Sequence, residues 1–141
     1  MDYLIDTNIL SELQKGERAH PGVRQWYART PPEALYLSVL VIGEIRQGIE
    51  RLQRRDPDQA ARLEGRLEII VDTLQARILP VTAAIAQRWG RLNAPDPLPV
   101  IDSLLAATAL EHDLTLVTRN VRDVDRTSVR WFNPFDEMTT P

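Results

Sequence analysis

Short apolar runs alternating with helix-length amphipathic segments constrain this chain more than any other feature of its sequence. The runs are Tyr3-Leu4-Ile5, Leu35-Tyr36-Leu37, Ile78-Leu79-Pro80-Val81, Leu114-Thr115-Leu116-Val117-Thr118 and Val129-Arg130-Trp131-Phe132. Between them, Ile42, Ile45, Ile49 and Leu52, and then Leu63, Leu67, Ile70 and Leu74, recur at helical spacing. Strands that are apolar on both faces need cover on both. The expected fold is therefore α/β: a three-layer α/β/α sandwich around a central, mainly parallel sheet.

Local signals set the boundaries. Thr7 to Leu13 opens a short helix that Gly16 finishes. Pro21 suits the first position of a helix running to about Ala28, and Pro31-Pro32 breaks it. Ser38 and Thr82 are natural N-caps for the helices that follow them. Asp56 and Pro57 restart a helix after Arg55, so residues from about 39 to 76 are expected to form a protruding helical hairpin. A helix through Ile85, Ala86, Trp89 and Leu92 leads to the Pro-rich loop Ala94-Pro95-Asp96-Pro97-Leu98-Pro99, and the next helix runs from Ile101 to Leu110. At 141 residues and 43% hydrophobic, the chain reads as one domain spanning 1–141, with a loose tail over about 136–141.

Composition removes several chemistries. There is no Cys, so disulfides and thiolate metal sites are excluded together. A metal would have to sit on oxygen ligands or on His20 and His112, which we take as structural or surface residues. The start has no basic region before an apolar stretch. No segment reaches the roughly 18–20 apolar residues of a membrane span. A cytoplasmic protein without membrane contact is expected. A net charge of −3 lacks the basic footprint of most nucleic-acid binders. Of the 17 basic residues, 16 are Arg, which suits bidentate phosphate contacts but also follows from a GC-rich genome.

In an open parallel sheet, ligands bind beyond the carboxyl ends of the strands. Asp6 closes the first run, while Asn120 and Asp123 follow the run ending at Thr118. Glu44 and Asp102 lie early in helices. Each has a purely structural reading. Asp6 could cap the first helix, Glu44 could be solvated, and Asp123 could belong to a salt-bridged loop with Arg119 and Arg122. Asp102 could complement a helix dipole. Yet it is the only charge in Ile101 to Leu110, an apolar and therefore buried helix. A carboxylate there is costly unless it is paired or binds a metal. Clustered carboxylates attract hard cations such as Mg²⁺ or Mn²⁺, which support in-line phosphoryl displacement without a catalytic His.

The same residues carry a resemblance. Leu4-Ile5-Asp6-Thr7-Asn8-Ile9-Leu10-Ser11 resembles the opening motif of PIN-domain nucleases. Leu37 to Ile49 is similar to the second, with Glu44 as its acid, and Ile101 to Ala109 to the third, with Asp102. Leu116 to Asp123 resembles the fourth, and Phe132-Asn133-Pro134-Phe135 the usual ending. The blocks come in family order and are most like toxins of the VapC and FitB type. The resemblance implies the toxin of a type II toxin–antitoxin system, a Mg²⁺- or Mn²⁺-dependent endoribonuclease that hydrolyses RNA phosphodiester bonds with metal-activated water. It also implies a homodimer, a cognate antitoxin whose C-terminal segment enters the acidic cleft, and a higher assembly on DNA through that antitoxin.

Residue by residue, the resemblance makes Asp6 and Asp102 the principal metal ligands, and Glu44 a further ligand or the holder of a bound water. Asn120 and Asp123 share the fourth position, where members vary. Thr7, Asn8 and Thr118 would support the site. One departure is the Pro97-Leu98-Pro99-Val100 approach to Asp102, which leaves that loop's geometry open. Haloacid-dehalogenase-type phosphatases and receiver domains also place an Asp after the first strand. The former need a second Asp where Asn8 stands, and both need a late Lys, whereas the single Lys here is Lys15. A catalytically inert interaction module on the same scaffold stays open.

Overall fold

Five short strands form one parallel sheet in the computed structural model, which describes residues 1–136. They are β1 (Tyr3–Ile5), β2 (Leu35–Ser38), β3 (Ile78–Leu79), β4 (Thr115–Val117) and β5 (Trp131–Phe132), in the order β3-β2-β1-β4-β5. Leu4 sits beside Tyr36 on one side and Leu116 on the other, and Ile5 beside Val117. All four pairings are parallel, so the expected mainly parallel sheet is wholly so. The chain builds outward from β1 to β3 and then crosses back to add β4 and β5. Such a reversal opens a crevice between the ends of the two strands where the order switches. Here those strands are β1 and β4.

The helices are α1 (Thr7–Leu13), α2 (Pro21–Arg29), α3 (Val39–Leu52), α4 (Pro57–Thr73), α5 (Ala83–Asn93), α6 (Val100–His112) and the short α7 (Val121–Val124). Polar side chains start most of them, because the first N–H groups of a helix have no partner within it. Ser38 Oγ accepts from Leu40 N–H at 3.0 Å, Asp56 Oδ1 from Gln59 N–H at 3.1 Å, and Thr82 Oγ1 from Ile85 N–H at 3.2 Å. His20 does the same for α2, its Nδ1 accepting from Gly22 N–H at 3.0 Å, which gives this histidine a structural task. Asp113, with φ of 55°, takes the left-handed conformation that ends α6.

The core fills from both sides of the sheet. Leu4, Ile5, Leu37, Leu116 and Val117 of the strands are buried against Ile9, Val23, Trp26, Ile45, Ile49 and Leu105 of the helices. Helix α6 is apolar nearly all round and is accordingly buried, Leu105, Ala106, Ala107 and Ala109 all having no exposure. Helices α3 and α4 pack as the expected hairpin through Ile45, Ile49 and Leu67, with Arg46 reaching across to Glu64 at 2.8 Å. Among the described residues no helix is long and apolar enough to cross a membrane.

Three expectations need correction. The strand expected over Ile78 to Val81 is only Ile78–Leu79, since Pro80 has no N–H to give the ladder. The strand expected from Val129 begins at Trp131, because Val129 N–H is taken by the Thr127 hydroxyl at 3.2 Å in a local turn. Asp123 lies on α7 rather than in a salt-bridged loop. The loose tail expected over 136–141 lies, beyond Asp136, outside the described residues.

Leu116, on β4 at the middle of the core, is wholly buried. Leu116→Ala leaves a cavity there and should destabilise the fold by about 2–5 kcal/mol. A lowered urea midpoint with an unchanged slope is the expected result.

Candidate active site

Asp6 stands where β1 ends and α1 begins, in the crevice beside β4. Its N–H still belongs to the sheet, donating to Val117 carbonyl at 2.9 Å. Its carboxylate already serves the helix, as N-cap of α1, with Oδ1 accepting from Thr7 N–H at 2.6 Å. The other oxygen, Oδ2, accepts from Thr118 Oγ1 at 2.7 Å, and Asn8 Nδ2 lies 3.4 Å from it. At 5% exposure Asp6 is a buried acid. The capping role is therefore real, and it leaves the carboxylate in the crevice between β1 and β4.

The other acids arrive from separate elements. Glu44 sits on α3, and Thr7 Oγ1 donates to its Oε1 at 2.5 Å. Asp102 lies in the first turn of α6, half-buried, with the Asn120 side chain as hydrogen-bond partner. Asp123, on α7, is close enough to act on Asp102 by charge repulsion. Thr118 links the sheet to this loop: Asn120 N–H donates to its Oγ1 at 3.0 Å while the hydroxyl donates to Asp6. Asn8 makes a second link, its Oδ1 accepting from Arg119 N–H at 3.2 Å.

The carboxylates act on one another. Burial pushes the Asp6 carboxyl up from 3.8 to about 6; the Thr118 and Thr7 hydrogen bonds oppose the rise, while repulsion from Asp102 and Glu44 adds to it. Burial also raises Asp102, opposed by the Asn120 hydrogen bond and reinforced by Asp123 and Glu44. The charges that shift these two acids are all negative. Acids from the end of β1 and from α3, α6 and α7 therefore act on one another electrostatically, and Asn120 and Asp123 both influence Asp102.

The donor set is oxygen only, which suits a hard cation. Among the described residues no three acidic or imidazole side chains stand close enough to form a ready cage. That is compatible with Mg²⁺, which keeps several waters and takes one or two carboxylates. His20 is committed to α2, and His112 is the last residue of α6. One pair of residues escaped the sequence reading: Arg119, whose guanidinium lies 4.5 Å over the Phe135 ring. A stack between positions so far apart in sequence has no local signature.

Comparison with known proteins gives a consistent result. Residues 3–129 match the PIN domain. Toxin FitB of Neisseria gonorrhoeae is 30% identical over 140 residues, covering 95% of this chain and 99% of that protein. VapC ribonuclease Y4jK of Sinorhizobium fredii is 29% identical over 141 residues, covering 94% and 97%. A solved structure of FitAB bound to an IR36 DNA fragment superposes with a TM-score of 0.87 at 26% identity, covering 97% of this chain and 98% of that one.

The raised pKa of Asp6 has a sign that can be tested. The folded chain holds this proton up to about pH 6, whereas the unfolded chain releases it near 3.8. Stability should therefore fall as pH rises through that interval, with a cost of about 3 kcal/mol fully present above it. In metal-free protein at neutral pH, Asp6→Asn should raise the melting temperature and flatten its dependence between pH 4 and 6, as followed by circular dichroism. A lower melting temperature would contradict the burial cost assigned to Asp6.

Proposed function

The chain belongs to the PIN-domain family, and from that premise we propose that it is a metal-dependent endoribonuclease acting as the toxin of a toxin–antitoxin pair in the cytoplasm. The observation that carries this reading is the repulsion that Asp102 and Glu44 exert on the buried Asp6, and Asp123 and Glu44 on Asp102, with no positive charge opposing it. A folded protein maintains such an arrangement at a cost to stability, and a divalent cation relieves it. The names of two relatives, a toxin and a ribonuclease, support the same reading.

Asp6 and Asp102 are the residues that would hold Mg²⁺ or Mn²⁺, with Glu44 as a further ligand or the holder of a water. When bound, such an ion supplies positive charge to the phosphate and activates water for in-line attack on phosphorus. The protein's own groups do the positioning. Thr118 and the Thr7 N–H fix the two oxygens of Asp6. Thr7 Oγ1 holds Glu44, and Asn120 holds Asp102. Asn8 ties Asp6 to the loop after β4. Asp123 adds negative charge beside Asp102 and so deepens the demand for a cation.

An acidic cleft of this kind also suits inhibition by a basic peptide. We assign that role to the C-terminal segment of a cognate antitoxin, which would carry the pair onto DNA; the FitAB structure, solved with a DNA fragment, has the same fold. The hairpin of α3 and α4 is the proposed contact between two copies. Light scattering at micromolar concentration should give about twice the 16.1 kDa chain mass; a single-chain mass would remove the dimer.

The nuclease itself is tested by incubating a mixed structured RNA with purified protein and Mg²⁺, Mn²⁺ or EDTA. Wild type should cleave with either metal and not with EDTA. Asp6→Asn should lose cleavage by several hundred-fold or more while keeping its fold, since the change removes ligand charge but little packing. Undiminished cleavage by that variant would sink the site assignment.

A further inference from the structure

We propose that Arg119, propped on the ring of Phe135 at the rim of the acidic cleft, holds the RNA phosphate next to the one being cut. This rests on the ribonuclease reading above and names a substrate contact within it. Three observations place Arg119 at the rim. It lies between Thr118, whose hydroxyl bonds Asp6, and Asn120, whose side chain bonds Asp102. Its N–H is fixed by Asn8 Oδ1 at 3.2 Å, and the amide of that same Asn8 faces Asp6. Its own residue is exposed to solvent.

The side chain is positioned without being neutralised. Its guanidinium lies 4.5 Å over the Phe135 ring, and among the described residues no carboxylate forms an ion pair with it. Three other arginines do meet carboxylates: Arg46 meets Glu64, Arg88 meets Glu111 and Arg130 meets Asp113. A cation–π contact holds the charge in place while leaving it available to a phosphate. The ring is itself fixed. Phe135 N–H donates to Asn133 Oδ1 at 3.0 Å, and its side chain packs on the core and lies 5.1 Å from the His20 ring, which caps α2. The aromatic support is therefore tied to α2, and the cation to the loop after β4.

Charge makes the arrangement useful. The reacting phosphate meets carboxylates, which repel the rest of a polyanion. A fixed cation at the edge of that region attracts the flanking phosphate and sets the register of the strand across the acids, as backbone contacts do in nucleic-acid complexes. The contact carries no base information, so it would serve any sequence.

Binding of a short single-stranded RNA of mixed sequence, followed by fluorescence anisotropy from about 50 to 200 mM salt, tests this directly. Asp6→Asn protein serves as the parent, so that no RNA is cut during the measurement. Adding Arg119→Ala should weaken binding roughly tenfold at the low-salt end and make the log–log salt slope shallower by about 0.7, the loss of one phosphate contact on a single strand. Arg119→Lys should restore the slope but only part of the affinity, because the fork and the stacking are lost. Phe135→Leu should weaken binding less than Arg119→Ala and leave the slope unchanged, since the charge remains without its support. An Arg119→Ala protein that melts like its parent, and binds with the same affinity and slope, would overturn the inference alone. A parent that binds no RNA even at low salt would overturn the nuclease reading and this contact together.

Discussion

Burying a carboxylate without a cation beside it costs free energy, and the structure accepts that cost at Asp6. The hydrogen bonds around the residue lower the penalty without removing it. The end of β1 fixes its backbone, the first N–H of α1 bonds one oxygen, and the Thr118 hydroxyl bonds the other. Repulsion from Glu44 and Asp102 acts in the opposite sense, so the acid still holds its proton far more tightly than a solvated Asp. Other parts of the site depend on that balance. Thr118 serves because its hydroxyl can donate to Asp6 while accepting from Asn120, and Asn8 because an amide can face both Asp6 and the Arg119 backbone.

The sheet makes the arrangement possible. Parallel strands released from pairing at one edge leave their following loops together, and the reversal of strand order between β1 and β4 keeps a crevice open there. Helix α6 enters the same region with its middle buried. Its apolar faces anchor it against the core through Leu105, Ala106 and Ala109, so Asp102 in its first turn is held by packing rather than by a flexible loop. The Pro-rich approach ends at Pro99, which precedes the first helical residue. There Ser103 Oγ donates to Pro99 carbonyl at 2.8 Å and accepts from Trp89 Nε1 at 2.9 Å, joining α6 to α5. Rigid elements thus bring the acids within reach of one another's charge, and the stability lost to their repulsion is supplied by the apolar core beneath them.

Electrostatics also divides the molecule's arginines by task. Those paired with Glu64, Glu111 and Asp113 join one element to another at the surface. Exposed pairs of that kind contribute little to stability. Arg119 differs in its support, an aromatic ring that fixes the guanidinium and leaves its charge unspent. With a net charge of −3, the chain as a whole does not attract a polyanion. A few well-placed cations near the acids are then worth more than the overall balance suggests.

The sequence by itself determined the alternation of strands and helices, the caps at Ser38, Asp56 and Thr82, the buried character of α6, and the order of the motifs that hold Asp6, Glu44 and Asp102. These are local properties: periodicity, turn chemistry and the preference of a polar side chain for a free N–H are all written within a few residues. The short extent of β3 and β5 was less legible, because a strand ends where its partner or a competing local bond ends it, as Thr127 does for Val129. Only the tertiary structure decided that Asn120 and Asp123 both bear on Asp102, that Thr7 holds Glu44 from another element, and that Arg119 rests on Phe135. The first and last of these depend on where the segment after β4 is set down, and the second on how α1 meets α3. That placement is fixed by packing the whole chain at once, and no window of sequence contains it.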